Sequence, residues 1–376
     1  MTFRILAVAL GTLVGLLGIE AGFRILRIKP ARFPPPRYVV LDSGAYRDFG
    51  DRWGRFHIKR PSRFESLGVK MGEYVPGSRF KMVYADNPRG YFDADNGVPF
   101  VINSLGLRGR EVERRKPAGT YRILGIGDSF TLGAGVRDDD TFLRRLESSL
   151  NAGGVRRYEV LNAGVEGYNT RDEVLYLERQ WLALDPDLVL IGFYLNDAYS
   201  DVTFATTIHG MDLGVYLGQP DGLARYSYVW DYVLHALRTQ RVQARVEKFY
   251  RASYFSEPKR FLEIPGSIEV DWPMSRAALR HAVELARRRN IQIALVIFPE
   301  LFRLDKDYPF AEVHRLVMDA CAALSLPALD LLETYRGTPS EKLWVHVTDH
   351  HPNEVAHELA ARAIEKFLRE RVLPEE

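Results

Sequence analysis

Three observations predict an α/β fold built on a parallel sheet of about five strands. Short apolar runs of strand length alternate with longer amphipathic segments from residue 121 to residue 371. Each early run breaks off at Gly, Asn or Asp rather than fading into polar sequence. The alternation is strand–helix–strand, which requires crossovers and places helices on both faces of a parallel sheet.

The elements follow in order. "ILGIGDSFTLGAG" (123–135) opens with a buried strand carrying Ile123, Leu124 and Ile126, predicted over 121–127, and Gly127 ends it with a sharp turn. Asp128 and Ser129 come next, ahead of a helix near 138–151; the carboxyl end of a strand in an open α/β sheet is where ligands bind. A second strand, 158–162, runs into "LNAGVEGYNT" (161–170) and a helix over 171–184. The third, "DLVLIGFY" (187–194), ends in "GFYLNDA" (192–198), where Asn196 offers a side-chain amide. Residues 195–270 break the rhythm and read as an insertion with one long helix near 227–250. The pattern resumes with helix 273–289, strand "IQIALVIF" (291–298), helix 310–324, a short strand at 326–330 and a last helix at 353–371. Before that helix stands "TDHHPNEVAHELAA" (348–361). Pro352 fits a first helical turn, which would set His351 at the helix N-terminus with Asp349 just upstream. A helix N-terminus disfavours imidazolium and a neighbouring carboxylate favours it, so the pair can hold a base near neutrality. Taken singly, each fragment also reads as an ordinary turn or cap.

The chain has 376 residues, an apolar fraction of 46 % and a net charge of +2, so no basic stripe points to nucleic acid. "ARRRN" (286–290) reads as cations at a helix C-terminus. The single cysteine, Cys321, lies in an amphipathic segment and reads as core; no intrachain disulfide is possible. His346, His350 and His351 cluster, but no carboxylate at ligand spacing completes a zinc site, and neither metal nor cofactor is expected. "YSYVWDYVLHAL" (226–237) puts Tyr228 and Tyr232 on one helix face, either as core or as an aromatic lid.

The N-terminus is apolar and uncharged over 5–19 and reaches membrane-spanning length if extended to Leu26, with Glu20 and Arg24 near one interface. A cleaved signal peptide is the rival reading, but no small-x-small cleavage site stands out. Arg24, Arg27, Lys29, Arg32 and Arg37 follow the segment, which by the positive-inside rule would leave the body in the cytoplasm. Gly11/Gly15 and Gly18/Gly22 have the spacing of pairing helices. The expected organisation is a membrane anchor or signal segment (1–28), a linker and small β-rich or irregular region (29–118) with the proline-rich "KPARFPPPR", and a main domain (119–376) interrupted at 200–270.

The joint pattern is more telling than any fragment: Ser after the first strand, Gly after the second, Asn after the third, Asp-x-His before the last helix. In that order it resembles the SGNH (GDSL-type) hydrolase family over about residues 119–371, with 200–270 carrying no family signal. The resemblance implies a three-layer αβα, flavodoxin-like fold. "GDSF" makes Ser129 the nucleophile. The family's oxyanion glycine lies five residues after Asn162, at Gly167, and the third-block asparagine is Asn196. His351 is the base. Many members carry the acid three residues before the histidine, where this chain has Thr348; the candidate acid here is Asp349. The implied activity is ester hydrolysis through an acyl-enzyme, with no metal, on acylated carbohydrate or small esters. O-acyl transfer to an envelope polysaccharide, a lipase or thioesterase, and a non-catalytic envelope protein are the alternatives. The N-terminal segment followed by "NSLGLRGRE" (103–111) looks like a membrane-tethered bacterial subgroup, which implies a body outside the cytoplasm, against the charge rule.

Overall fold

The computed structural model describes residues 2–30, 32–34, 36–41, 59–60, 62–69, 72–153, 156–198, 220–255, 272–304 and 307–373. Much of the expected insertion, 199–219 and 256–271, therefore lies outside the described residues, as does 42–58 of the expected β-rich region. The chain divides into two compact units, Met1–Pro34 with Thr207–Lys248, and Pro35–Thr206 with Phe249–Glu376.

The first unit contains helix α1 (Thr2–Ile25), whose stretch Ile5–Ile25 is wholly unburied and long and apolar enough to cross a membrane; a signal sequence would meet the same description.

The second unit opens with strands β1 (Arg37–Val40), β2 (Lys59–Arg60), β3 (Glu73–Tyr74), β4 (Arg79–Val83) and β5 (Gly97–Val101). β1, β4 and β5 form a small antiparallel sheet, and β2 pairs with β3. There follow β6 (Thr120–Gly127), α2 (Ser129–Leu132), α3 (Phe142–Ala152), β7 (Arg157–Gly164), α4 (Thr170–Arg179) and β8 (Leu188–Phe193). α5 (Tyr228–Phe255) begins in the first unit. The second continues with α6 (Trp272–Arg289), β9 (Gln292–Ile297), α7 (Ala311–Ala323), β10 (Ala328–Asp330), α8 (Leu332–Tyr335), β11 (Trp344–His346), β12 (Asp349–Pro352) and α9 (Glu354–Arg371).

The main sheet is fully parallel, as expected, in the order β7-β6-β8-β9-β10, which is the 2-1-3-4-5 arrangement of the flavodoxin-like fold that the resemblance implies. The chain steps one way from β6 to β7 and the other way afterwards. With right-handed crossovers this reversal sends α3 to one face and α4, α6 and α7 to the other. α9 returns to pack on α3, and α4 packs on α6. The strands between these layers are buried on both sides, with Leu124, Ile126, Ile191, Leu295 and Val296 at 0–1 % exposure, which is why they read as continuous apolar runs. The switch point, where ligands bind in such sheets, falls between β6 and β8.

At that point three glycines stand side by side at or next to the strand ends: Gly127 is in register with Gly164 on one side and Gly192 on the other. A Cβ on Gly164 would stand 2.2 Å from the Leu132 backbone nitrogen. On Gly127 or Gly192 it would stand 2.0 or 2.1 Å from Thr131 Oγ1. These glycines let α2 rest directly on the sheet, which answers why apolar strands stop so abruptly here.

Two expectations are corrected. Pro352 is not in the last helix: Asn353 caps it, accepting from the Val355 and Ala356 N–H groups at 3.0 and 3.1 Å, while Pro352 ends β12 opposite Trp344. Asn is the better cap, so the helix starts at Glu354, two residues later than a proline-first turn would require. The expected helix 171–184 stops at Arg179 and continues as a tighter 3₁₀ turn at Trp181–Leu184. Within the first unit, Tyr228 lies beneath Lys29 and Arg24, and Tyr232 packs edge-on against Phe23 at 5.7 Å. Both tyrosines thus pack on the N-terminal segment of the same unit.

Candidate active site

Ser129 is the first residue of α2. Asp128 caps that helix, its Oδ1 accepting from the Phe130 N–H at 2.8 Å. The far end of α2 is held by Arg108, whose buried guanidinium donates to the Leu132 and Gly133 carbonyls, each at 2.5 Å, and packs over Phe100. Asn162 on β7 adds bonds to the Thr131 and Leu132 carbonyls at 3.0 and 3.3 Å. A four-residue helix has little stability of its own, so these contacts supply its geometry.

The β11–β12 hairpin brings the other groups. Asp349 and His351 are two apart on an extended strand, so their side chains leave on the same side. That period explains how an acid two residues before the histidine can reach it. His351 Nδ1 stands 2.5 Å from Asp349 Oδ1, and Nε2 stands 2.8 Å from Ser129 Oγ. The carboxylate requires a proton on Nδ1, so the neutral ring offers Nε2 as an acceptor and the Ser129 hydroxyl donates to it. Thr348, at the more usual acid position, is instead engaged with His346 Nδ1 at 2.7 Å.

Burial would lower the His351 imidazole, but the Asp349 charge and hydrogen bond outweigh it and raise the ring to about 8. Burial would raise the Asp349 carboxyl; the facing imidazole and the donors on its oxygens outweigh this and hold it well below the usual carboxylate range. One of those donors was not legible in the sequence. Tyr84, just past β4 in the small sheet, is 4 % exposed and donates from its hydroxyl to Asp349 Oδ2 at 2.6 Å. Gly135 leaves room for it: a Cβ there would meet the Tyr84 oxygen at 2.7 Å.

Asn196 follows β8, across the switch point. Its Nδ2 donates to Asp128 Oδ2 at 2.8 Å, and that carboxylate lies 3.4 Å from Ser129 Oγ. The next residue, Asp197, is fully buried and anchors the loop by accepting from the Tyr194 N–H at 2.6 Å and the Thr170 hydroxyl at 3.0 Å. Gly167 sits in the loop after β7 with φ +82°, and that loop is tied to the Ser129 strand by Val165 N–H to the Gly127 carbonyl at 2.9 Å. Among the described residues, the Ser129 and Gly167 N–H groups donate to no protein acceptor. Serine, histidine and acid therefore form one continuous hydrogen-bonded chain, with Asn196 joined through Asp128 and Gly167 on the neighbouring loop. Such a chain can transfer a hydroxyl proton to imidazole beside uncommitted donors. Neither of the remaining clustered histidines joins it. His346 bonds Asp86 at 2.7 Å, and His350 stacks on Trp344. Among the described residues no three His, Cys, Asp or Glu side chains are grouped to hold a metal ion.

Comparison with known proteins matches residues 126–359 to the family described as GDSL-like Lipase/Acylhydrolase. No curated protein matches. Solved structures similar to this chain include an acetyl xylan esterase at 15 % identity, covering 65 % of this chain and 98 % of its own, with a TM-score of 0.41. A lipase/acylhydrolase from Enterococcus faecalis matches at 18 % identity, 68 % and 99 % coverage and TM-score 0.39. An acetylxylan esterase from Geobacillus stearothermophilus matches at 14 %, 68 % and 97 %, and 0.38.

Proposed function

The chain belongs to the GDSL-like lipase/acylhydrolase family and is an ester-hydrolysing enzyme, and we propose that Ser129 is its nucleophile, His351 its base and Asp349 the acid that orients the base. The observation that carries this reading is the unbroken hydrogen-bonded chain from Ser129 Oγ through the imidazole to Asp349. Ser129 attacks the ester carbonyl while Nε2 takes its proton. The Ser129 and Gly167 N–H groups and the Asn196 amide stabilise the oxyanion, and His351 returns the proton to the leaving alcohol. Water then releases the acyl group by the same route.

The substrate we propose is a short acyl group, acetyl-like, on carbohydrate or a small alcohol. Phe130 stacks on Tyr194 at 3.9 Å, packs against Phe298 and lies 5.6 Å from the His351 ring, which supports a restricted acyl site beside the nucleophile. We further propose that α1 anchors the protein in the membrane of the cell envelope, with the catalytic unit outside the cytoplasm, as in the tethered subgroup its sequence resembles. The test is turnover of 4-nitrophenyl acetate, butyrate and decanoate, followed by acetylated sugars with and without a free sugar acceptor. Free acetate as the product, with activity falling as the chain lengthens, supports the reading. A preference for decanoate turns it toward a lipase, and acetate passing to the acceptor in place of water turns it toward a transferase.

Tyr84 belongs to this mechanism as a positioning residue. Tyr84→Phe leaves one oxygen of a buried carboxylate without its donor, and kcat/KM is expected to fall about tenfold, or roughly 1.4 kcal/mol. The acid limb of the pH profile should move upward, because the less stabilised carboxylate holds the imidazolium more tightly. An unchanged rate and limb would mean that the contact only packs the small sheet against the hairpin.

A further inference from the structure

We propose that the start of α5 is a membrane-interface element that lies in the headgroup region of a lipid bilayer; this rests on the reading of α1 as a membrane span. Three hydrogen bonds to Glu20 join α1 to this segment, and an ion pair from Arg32, beyond α1, adds to them. The Glu20 carboxylate accepts from Ser227 Oγ at 2.8 Å and from the Tyr228 and Val229 N–H groups at 3.0 and 3.2 Å, so it caps α5 from within the apolar helix. Arg24 donates to the same carboxylate at 2.7 Å. Arg32 then clasps Asp231 with two bonds, at 3.0 and 2.5 Å. The first turn of α5 is thereby fixed at the level of residue 20.

That level determines the surroundings. Glu20 is five residues short of the end of α1, about 7.5 Å along the axis at a helical rise of 1.5 Å per residue. With the end of α1 at the headgroup level, this depth falls within the roughly 5–10 Å by which interfacial helices sink their apolar faces toward the acyl chains. The residues presented there are those such a depth selects. Leu223 and Tyr226 are 72 % and 76 % exposed, and Trp230, Val233 and Leu237 recur at helical spacing, each 39–45 % exposed. The same stripe continues as Arg241, with Arg245 on its flank, both exposed, so the helix passes from apolar and aromatic to cationic as anionic headgroups would require. An apolar stripe this exposed on a soluble surface would be anomalous. Glu20, an expensive charge for a membrane helix, is neutralised here by Arg24 and by the α5 N-terminus.

The test uses the full chain in phosphatidylethanolamine–phosphatidylglycerol vesicles. Cys321 is buried, so introduced cysteines can be labelled with an environment-sensitive fluorophore on the native background. The positions are Tyr226→Cys and Leu237→Cys for the proposed surface, Val14→Cys for the span and Glu333→Cys as an aqueous reference; retained ester turnover verifies folding of each. Labels at 226 and 237 are expected to be quenched several-fold more by lipids bearing a nitroxide near the headgroup than the label at 333, and to be shielded from iodide. The label at 14 should respond to deep nitroxides. A deep label at 14 with iodide-accessible labels at 226 and 237 overturns the surface while leaving the anchor standing. An iodide-accessible label at 14 overturns the anchor and the surface with it. Shielding at 226 and 237 that vanishes when the protein is diluted in lipid assigns the patch to a second copy of the chain, and also overturns the proposal.

Discussion

Ser129→Ala is expected to lower kcat on 4-nitrophenyl acetate by about 10⁴-fold or more, at least roughly 5–6 kcal/mol of barrier, while leaving the fold intact. The hydroxyl is the only atom removed. Its one strong partner, His351 Nε2, faces a site that also receives substrate, so water can replace the bond in the variant. Ser129 heads α2 but does not hold it in place: Asp128, Arg108 and Asn162 do that through carboxylate, guanidinium and amide contacts that the substitution does not touch. The donors proposed for the oxyanion also survive, because one is the backbone N–H of residue 129 itself. Residual turnover should thus remain above the uncatalysed rate, through binding and oxyanion stabilisation alone. Circular dichroism and kcat measured on the same preparation check this directly. A correctly folded Ser129→Ala protein that turns over substrate at the wild-type rate would remove the serine mechanism.

The main sheet was legible in the sequence because burial on both faces demands uninterrupted apolar runs, and helices of ordinary length separate them. Ser129 and Asn196 could be found because each stands where such a run ends, and His351 because it precedes a strongly amphipathic helix. The local conformation around His351 was read less well. "DHHPN" carries both a proline suited to a helix start and an asparagine suited to a cap, and only the pairing of β12 with β11 decides between them. A strand of three or four residues has too few positions for its period to register. Tyr84 was beyond reach for a different reason: 265 positions separate it from Asp349, and nothing local in "KMVYADN" distinguishes a tyrosine serving a carboxylate from one in a small sheet. The aromatic run 226–237 was visible, but not its partner, since the contacts between Glu20 and Ser227 close over two hundred residues of chain.

Asp349→Ala should lower the plateau value of kcat by about 10⁴-fold and also move the acid limb of the rate profile. In the wild type the imidazole must be neutral to accept the Ser129 proton. With the ring raised to about 8, kcat/KM should climb about tenfold per pH unit below that value and level off above it. The raised value also favours the folded state in the opposite pH direction. The contribution of His351 to stability is full below 6.5, the ordinary histidine value, and is lost as pH rises through about 8. Activity and this part of stability therefore trade against each other across one unit or so of pH. Without the carboxylate, burial is the dominant influence on His351 and pushes the ring below its ordinary value, so the limb should fall below 6.5. The plateau falls because the ring has lost both the acceptor that fixes the proton on Nδ1 and the charge that stabilises imidazolium in the transition state. Asp349→Asn separates these two losses. Asp349 Oδ1 receives the His351 backbone N–H at 3.2 Å as well as Nδ1, so the amide oxygen is held on that side and continues to select the tautomer. The Asn variant should show the same downward shift of the limb with a smaller loss of plateau rate than the Ala variant. Equal plateau losses in the two would mean that charge accounts for the whole effect. A limb that stays at about 8 in both would mean that Asp349 is not the group that raises His351.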